Sequence, residues 1–85
     1  MHKNSIDTYL DIIDHLQPMR KHIFRAIQAA GPINNRGLKD LLNIDINRIT
    51  GRVKELRDLG VVIEAFSRKD PVTKRTTAYW MAKNG

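Results

Sequence analysis

At 85 residues, with 41% hydrophobic and 28% charged side chains, the chain has material for one small core and not for two. It contains no cysteine, which excludes disulfide staples and thiolate metal sites, and no apolar run approaches the roughly 18 residues of a membrane span. Fifteen Lys/Arg against nine Asp/Glu give a formal charge of +6, which favours polyanionic partners.

The charge is unevenly spread. Residues 1–17 set Lys3 against Asp7, Asp11 and Asp14, a net −2, whereas residues 18–85 set 14 Lys/Arg against 6 Asp/Glu, a net +8. The basic surface therefore belongs to residues 18–85, and the first segment has another role. The N-terminus lacks the order of basic, apolar and small residues of a secretory signal, so the expected compartment is the cytoplasm.

From Ser5 to Leu16, the residues Ile6, Tyr9, Leu10, Ile13 and Leu16 fall at spacings that one helical face collects. Asn4 or Ser5 can cap this helix, and Asp7 in its first turn suits the positive end of the dipole. Pro18 breaks the pattern and is well placed to open a second helix, where its missing N–H is not needed. That helix runs to Ala30 with Met19, Ile23, Ala26, Ile27 and Ala30 along one side, and Gly31-Pro32 stops it. Ile33 adds a very short extended segment. Asn34 or Asn35 then caps a third helix carrying Leu38, Leu41 and Leu42.

Asn43-Ile44-Asp45 forms a turn, and a fourth helix follows over 46–59, with Ile46, Ile49, Val53, Leu56 and Leu59 inward and Gly60 as its C-terminal cap. After it the period changes. "VVIEAFS" and "TTAYWMA" are rich in β-branched and aromatic residues, and the polar "RKDPVTKR" between them makes a hairpin loop in which Asp70-Pro71 is good turn chemistry. Tyr79 and Trp80 are neighbours in a strand and point to opposite faces, with Trp80 expected inside; Phe24 and Phe66 are expected in the core.

The order helix, short strand, helix, tight turn, helix, two-stranded hairpin resembles the winged helix-turn-helix DNA-binding family over about Pro18 to Ala82. Its most specific piece is "LLNIDINRITGRVKELRDLGVV", similar to the family's apolar turn residue, its recognition helix with Val/Ile and Leu at fixed spacing, and its Leu-Gly-hydrophobic entry to the wing. "KDPVTKRTTAYWMA" is similar to the wings of small phage and bacterial regulators. The resemblance implies an α+β winged helix-turn-helix with an additional N-terminal helix over 1–17, a DNA-binding domain over 18–85, and a C-terminal two-stranded wing. It places Ile44 in the turn and Ile49, Val53 and Leu56 on the core side of the recognition helix. The implied function is sequence-specific binding of double-stranded DNA as a small transcriptional regulator.

In such a fold the second helix of the helix-turn-helix enters the major groove. The residues available there are Asn47, Arg48, Thr50, Gly51, Arg52, Lys54 and Arg57. Asn pairs with adenine and Arg with guanine, so Asn47, Arg48 and Arg52 are candidates for base readout, and Thr50, Lys54 and Arg57 for phosphate contact. Gly51, mid-helix where a long polar side chain is common, costs about 0.5–1 kcal/mol relative to Ala. It either admits a close DNA backbone or is incidental. On the wing, Arg68, Lys69, Lys74 and Arg75 against Asp70 give a net +3 for the backbone or minor groove, and Arg36 and Lys39 near the start of the third helix add candidate backbone contacts.

Each of these has a plainer reading. The helix charges could form a solvated face with Arg52 or Lys54 near Glu55 and Asp58, and the wing lysines could serve only to discourage strand pairing. No Ser, Cys, His and carboxylate grouping has catalytic spacing, and there is no Gly-rich phosphate loop, so no enzyme, no cofactor and no metal are expected. No ligand-sensing segment is evident. The rival functions are a winged helix used as a protein-interaction module, a phage accessory factor in excision, replication or host transcription, and a binder of structured RNA. The first helix either builds a homodimer through Tyr9, Ile12, Ile13 and Leu16 or closes the monomer core.

Overall fold

The computed structural model describes the backbone of residues 5–83 and the side chains of residues 8–83. Four helices, α1 (Ser5–Asp14), α2 (Pro18–Ala30), α3 (Asn35–Leu42) and α4 (Ile46–Asp58), precede two strands, β1 (Val62–Lys69) and β2 (Thr76–Ala82). The expected cap at Asn4 or Ser5 and the roles of Ile6 and Asp7 lie outside the described residues.

The helix ends follow their local chemistry. Pro18 opens α2 in its first turn, and Gly31, at φ 77°, closes it with an N–H to the Ile27 carbonyl at 3.1 Å. Asn34 caps α3, its Oδ1 accepting from the Gly37 N–H at 2.7 Å, while Asn43 ends the helix in the left-handed region. Asp45 caps α4 by accepting from the Asn47 N–H at 3.0 Å. At the other end of α4 the Val61 N–H reaches the Leu56 carbonyl and the Gly60 N–H reaches that of Arg57, with Gly60 at φ 79°. That pair of bonds is a Schellman closure, and Leu56 and Val61 are both buried beneath it.

The core gathers Ile13 from the end of α1 and Leu16 just after it, Ile23, Phe24 and Ile27 from α2, Leu38 from α3, Ile49, Val53 and Leu56 from α4, and Val61, Val62 and Trp80 from the hairpin and its entry. Tyr9 meets Phe24 edge to face at 6.4 Å between ring centres, which seats α1 on α2. Helix α4 packs across α2 and α3.

The strands are antiparallel, and Ile33 forms a one-residue bridge to the outer edge of β2: its N–H meets the Trp80 carbonyl at 3.0 Å, and the Trp80 N–H meets its carbonyl at 2.8 Å. The short segment expected at Ile33 is thus a third-strand stub.

Several expected core positions are exposed. Leu10, Leu41 and Leu59 lie open, as does Ala30 at the end of α2. Helical periodicity puts these residues near the apolar face, but each stands where no neighbouring element covers it. Phe66 is also exposed, at 38%. The cause is a bulge at Ala65: Glu64 pairs with Trp80 and Phe66 with Tyr79, so one residue is skipped and the alternation of β1 changes phase. Ile63 and Phe66, three apart, both reach the surface. Trp80 is buried at 7%, as expected.

Candidate nucleic-acid interface

Helix α4 buries Ile49, Val53 and Leu56, which leaves the rest of its circumference for polar groups. Asn47, Arg48, Thr50, Gly51, Lys54 and Arg57 are exposed, and Arg52 is half-buried. Their engagements differ sharply. The Lys54 ammonium lies 3.2 Å from the Asp58 carboxylate, one turn on. Arg52 donates from Nη1 to Glu55 Oε1 at 2.6 Å, and Glu55 also receives Arg20 of α2 through Nε at 3.2 Å and Nη2 at 2.8 Å. The Arg20 hydrogen bond, with the attraction of Arg20 and Arg52, holds the Glu55 carboxyl below its usual range and raises Arg20 above its own. Arg48 and Arg57 form no ion pair among the described residues.

Thr50 turns its hydroxyl back to the Ile46 carbonyl at 2.9 Å and accepts from Asn35 Nδ2 at 3.4 Å. The Arg57 guanidinium lies over the Trp80 ring, 4.5 Å from its centre. A Cβ built on Gly51 would meet nothing within 4 Å, so no packing inside this chain requires glycine there.

On the hairpin, Arg68 and Lys69 belong to β1 and not to the loop, which is confined to residues 70–75. Arg68 lies beside the stacked pair Phe66 and Tyr79, whose ring centres are 4.8 Å apart, at 5.3 and 5.7 Å. The tip is tied together by Asp70, whose Oδ1 accepts from the Val72 N–H at 2.8 Å while its carbonyl accepts from the Lys74 N–H at 2.8 Å. Lys74 sits at φ 65°, and Arg75 next to it is exposed. Arg36 and Lys39 on α3 flank a shallow groove with Ile46, and Lys39 comes within 3.7 Å of Asp40.

The charged groups of the wing tip and those of α4 do not meet each other. Beside the contact of Arg57 with Trp80, wing and helix are joined through Asn35, which the sequence offered only as an alternative cap. With Asn34 acting as the cap, Asn35 is free to accept the Trp80 indole N–H at 2.7 Å. No local signal marks this pair, because the two residues are 45 positions apart.

No protein-family model matches the chain, and no curated protein matches it. Among solved structures it is similar to the reduced form of MarR from E. coli, with a TM-score of 0.65 and 22% identity, covering 92% of this chain and 54% of that one. A mutant of E. coli MarR gives a TM-score of 0.66 at 22% identity, covering 94% and 55%. A further structure of the multiple antibiotic resistance repressor MarR gives 0.64 at 17%, covering 91% and 57%. The chain therefore spans little more than half the length of the MarR chains it matches, and at these identities the likeness is one of fold. Four helices closed by a two-stranded wing, in the arrangement of MarR, give this chain a winged-helix fold.

Proposed function

We propose that the chain binds double-stranded DNA sequence-specifically, as a small transcriptional regulator, with α4 in the major groove and the wing on the backbone or minor groove. The observation that carries this reading is the free, polar outer face of α4, with Asn47, Arg48 and Arg57 unpaired by any carboxylate and Gly51 in open space. The fold shared with a repressor supports it. Asn47 and Arg48 read bases; Lys54 and Arg57 meet phosphate, Lys54 by exchanging Asp58 for it. Arg52 is the exception to the sequence reading: within α4 it bonds to Glu55, the carboxylate that Arg20 of α2 also holds, and base readout falls to its neighbours. The wing residues Lys69, Lys74 and Arg75 add phosphate contacts, as do Arg36 and Lys39 beside the N-terminus of α3.

The test is fluorescence anisotropy of a random-sequence duplex from about 50 to 200 mM salt. Each lost phosphate contact flattens the slope of log K against log salt by about 0.9. Lys54→Ala/Arg57→Ala should flatten it, and Arg52→Ala should leave it unchanged. Absence of binding at the lowest salt would replace this reading with a protein-interaction module. That second reading has its own support in the outer wing face, where the bulge brings Phe66 to the surface beside Ile63, at 38% and 42% exposure.

We also propose that α1 contributes to a homodimer. Ile12, Leu16 and Leu59 line an open groove with Asp11, His15 and Arg20, and Leu10 stands 52% exposed on the same helix as Ile12.

A further inference from the structure

We propose that Asn35 is a positioning residue that clamps the wing to the recognition helix and so fixes where the Arg57 guanidinium meets a DNA phosphate. The proposal rests on the duplex-DNA reading for what the clamp serves. Its geometry stands independently: the Trp80 Nε1–H donates to Asn35 Oδ1 at 2.7 Å, and Asn35 Nδ2 donates to Thr50 Oγ1 at 3.4 Å. One side-chain amide thereby joins the start of α3, the middle of α4 and the second strand of the wing.

Chemistry fixes the orientation of this amide. An indole N–H can only donate, so it must face the oxygen of Asn35, which leaves the NH₂ toward Thr50. The Thr50 hydroxyl proton is already committed to the Ile46 carbonyl at 2.9 Å, so its oxygen is the acceptor that the NH₂ requires. The network has one consistent arrangement of donors.

Trp80 is thus held at both ends, its backbone by Ile33 and its ring nitrogen by Asn35, and it is 7% exposed. Arg57 lies on this fixed plate at 4.5 Å. A guanidinium seated over a ring without a carboxylate partner keeps N–H groups available, and it has less rotamer freedom to lose on binding an anion. Of the basic residues on α4, Arg52 and Lys54 already hold carboxylates, while Arg48 and Arg57 form no ion pair among the described residues, and of these two it is Arg57 that lies on the ring. Loss of the Asn35 oxygen would strand the indole N–H, let the ring tilt and release Arg57 from its plate.

Two measurements test this. In duplex binding at low salt, Asn35→Ala should weaken affinity about fivefold in the otherwise unaltered chain, the scale of ordering one released long side chain on binding, and should add nothing once Arg57→Ala is present. Equal losses in both backgrounds would overturn the proposal, since Asn35 would then act without Arg57. By NMR without DNA, exchange of the Trp80 indole N–H should quicken in Asn35→Ala and stay near the unaltered rate in Asn35→Asp, whose carboxylate keeps the acceptor. Unchanged exchange in Asn35→Ala would overturn the clamp even with duplex binding intact. Quickened exchange in a chain that binds no duplex would overturn the DNA reading and the role assigned to Arg57, and would leave the wing-to-helix contact as fact.

Discussion

Arg20 and Glu55, 35 positions apart in sequence, close a two-point ion pair between α2 and α4, with Nε to Oε1 at 3.2 Å and Nη2 to Oε2 at 2.8 Å. The side chains keep 24% and 37% of their surface, so the pair is partly screened and its main effect is geometric. It ties α4 to α2 in the rotation that burial of Ile49, Val53 and Leu56 sets, which decides which residues of "NRITGRVKELRD" face outward. With Arg52 drawn to the same carboxylate and Lys54 to Asp58, the unpaired positive charge of the helix falls to Arg48 and Arg57.

This pair makes stability depend on pH in a defined direction. The folded Glu55 carboxyl is held below its ordinary value of 4.5, first by the Arg20 hydrogen bond. Its contribution is therefore fully present above the unfolded value and is lost as pH falls through the lower folded one. Thermal melts of the unaltered chain and of Glu55→Gln should differ most at neutral pH and converge in acid. A difference that stays constant down the pH series would show that the Glu55 charge does not brace α2 to α4.

The two helical glycines should respond oppositely to alanine. At Gly51 a Cβ meets nothing within 4 Å, so Gly51→Ala should stabilise the fold by about 0.5–1 kcal/mol in urea titration while weakening duplex binding if DNA lies against that face. At Gly37 a Cβ would stand 2.8 Å from Ile33 Cγ1 and 3.1 Å from the capping Asn34 Oδ1. Gly37→Ala should cancel its helical gain and destabilise, and the loss should include the Ile33 bridge to Trp80, read as quickened amide exchange at Trp80.

The wing tip depends on one carboxylate. Asp70→Ala removes the acceptor for the Val72 N–H and leaves Lys74 in the left-handed region without that support. Trypsin should cleave after Lys74 or Arg75 markedly faster in this variant, while helical circular dichroism is unchanged. Equal cleavage rates would mean that the backbone bonds between Asp70, Lys74 and Arg75 suffice to hold the loop.

The two phenylalanines should differ by several-fold in what they contribute. Phe24 is 1% exposed, and Phe24→Ala should cost about 3–5 kcal/mol. Phe66 lies at the surface stacked on Tyr79, and Phe66→Ala should cost about 0.5–1.5 kcal/mol. Denaturant titration of both variants checks the contrast, and equal costs would place Phe66 in a buried environment.

For the proposed α1 interface, sedimentation of the unaltered chain at high concentration should give a dimer, and Leu10→Glu/Leu59→Glu should give a monomer with little change in melting temperature. A monomer in both cases would assign α1 to closing the core alone, where Ile13 and Leu16 already lie.

Much of this architecture is written locally. Pro18, Gly31 and Gly60 set helix ends because φ and the missing N–H act on the residue itself and its nearest neighbours; the Asn34 cap and the Asp70 turn bond within three residues of their own positions. The change from a helical period to β-rich segments at Val61 fixed the hairpin, and burial of Trp80 followed from alternation. The face to which Phe66 turns could not be read this way, because a bulge at Ala65 shifts alternation and shows itself only in pairing with β2. The pairing of Arg52 with Glu55 and of Lys54 with Asp58 was within local reach and was offered as the plainer reading of the α4 charges; what the chain order could not show is that Arg20, 35 positions away, takes the same carboxylate as Arg52. Asn35 was as good a cap as Asn34 until Trp80, 45 residues away, supplied a donor. Backbone preferences act over a few residues and are legible in order; a side chain's choice among several adequate partners waits for the packing that brings one of them to 3 Å.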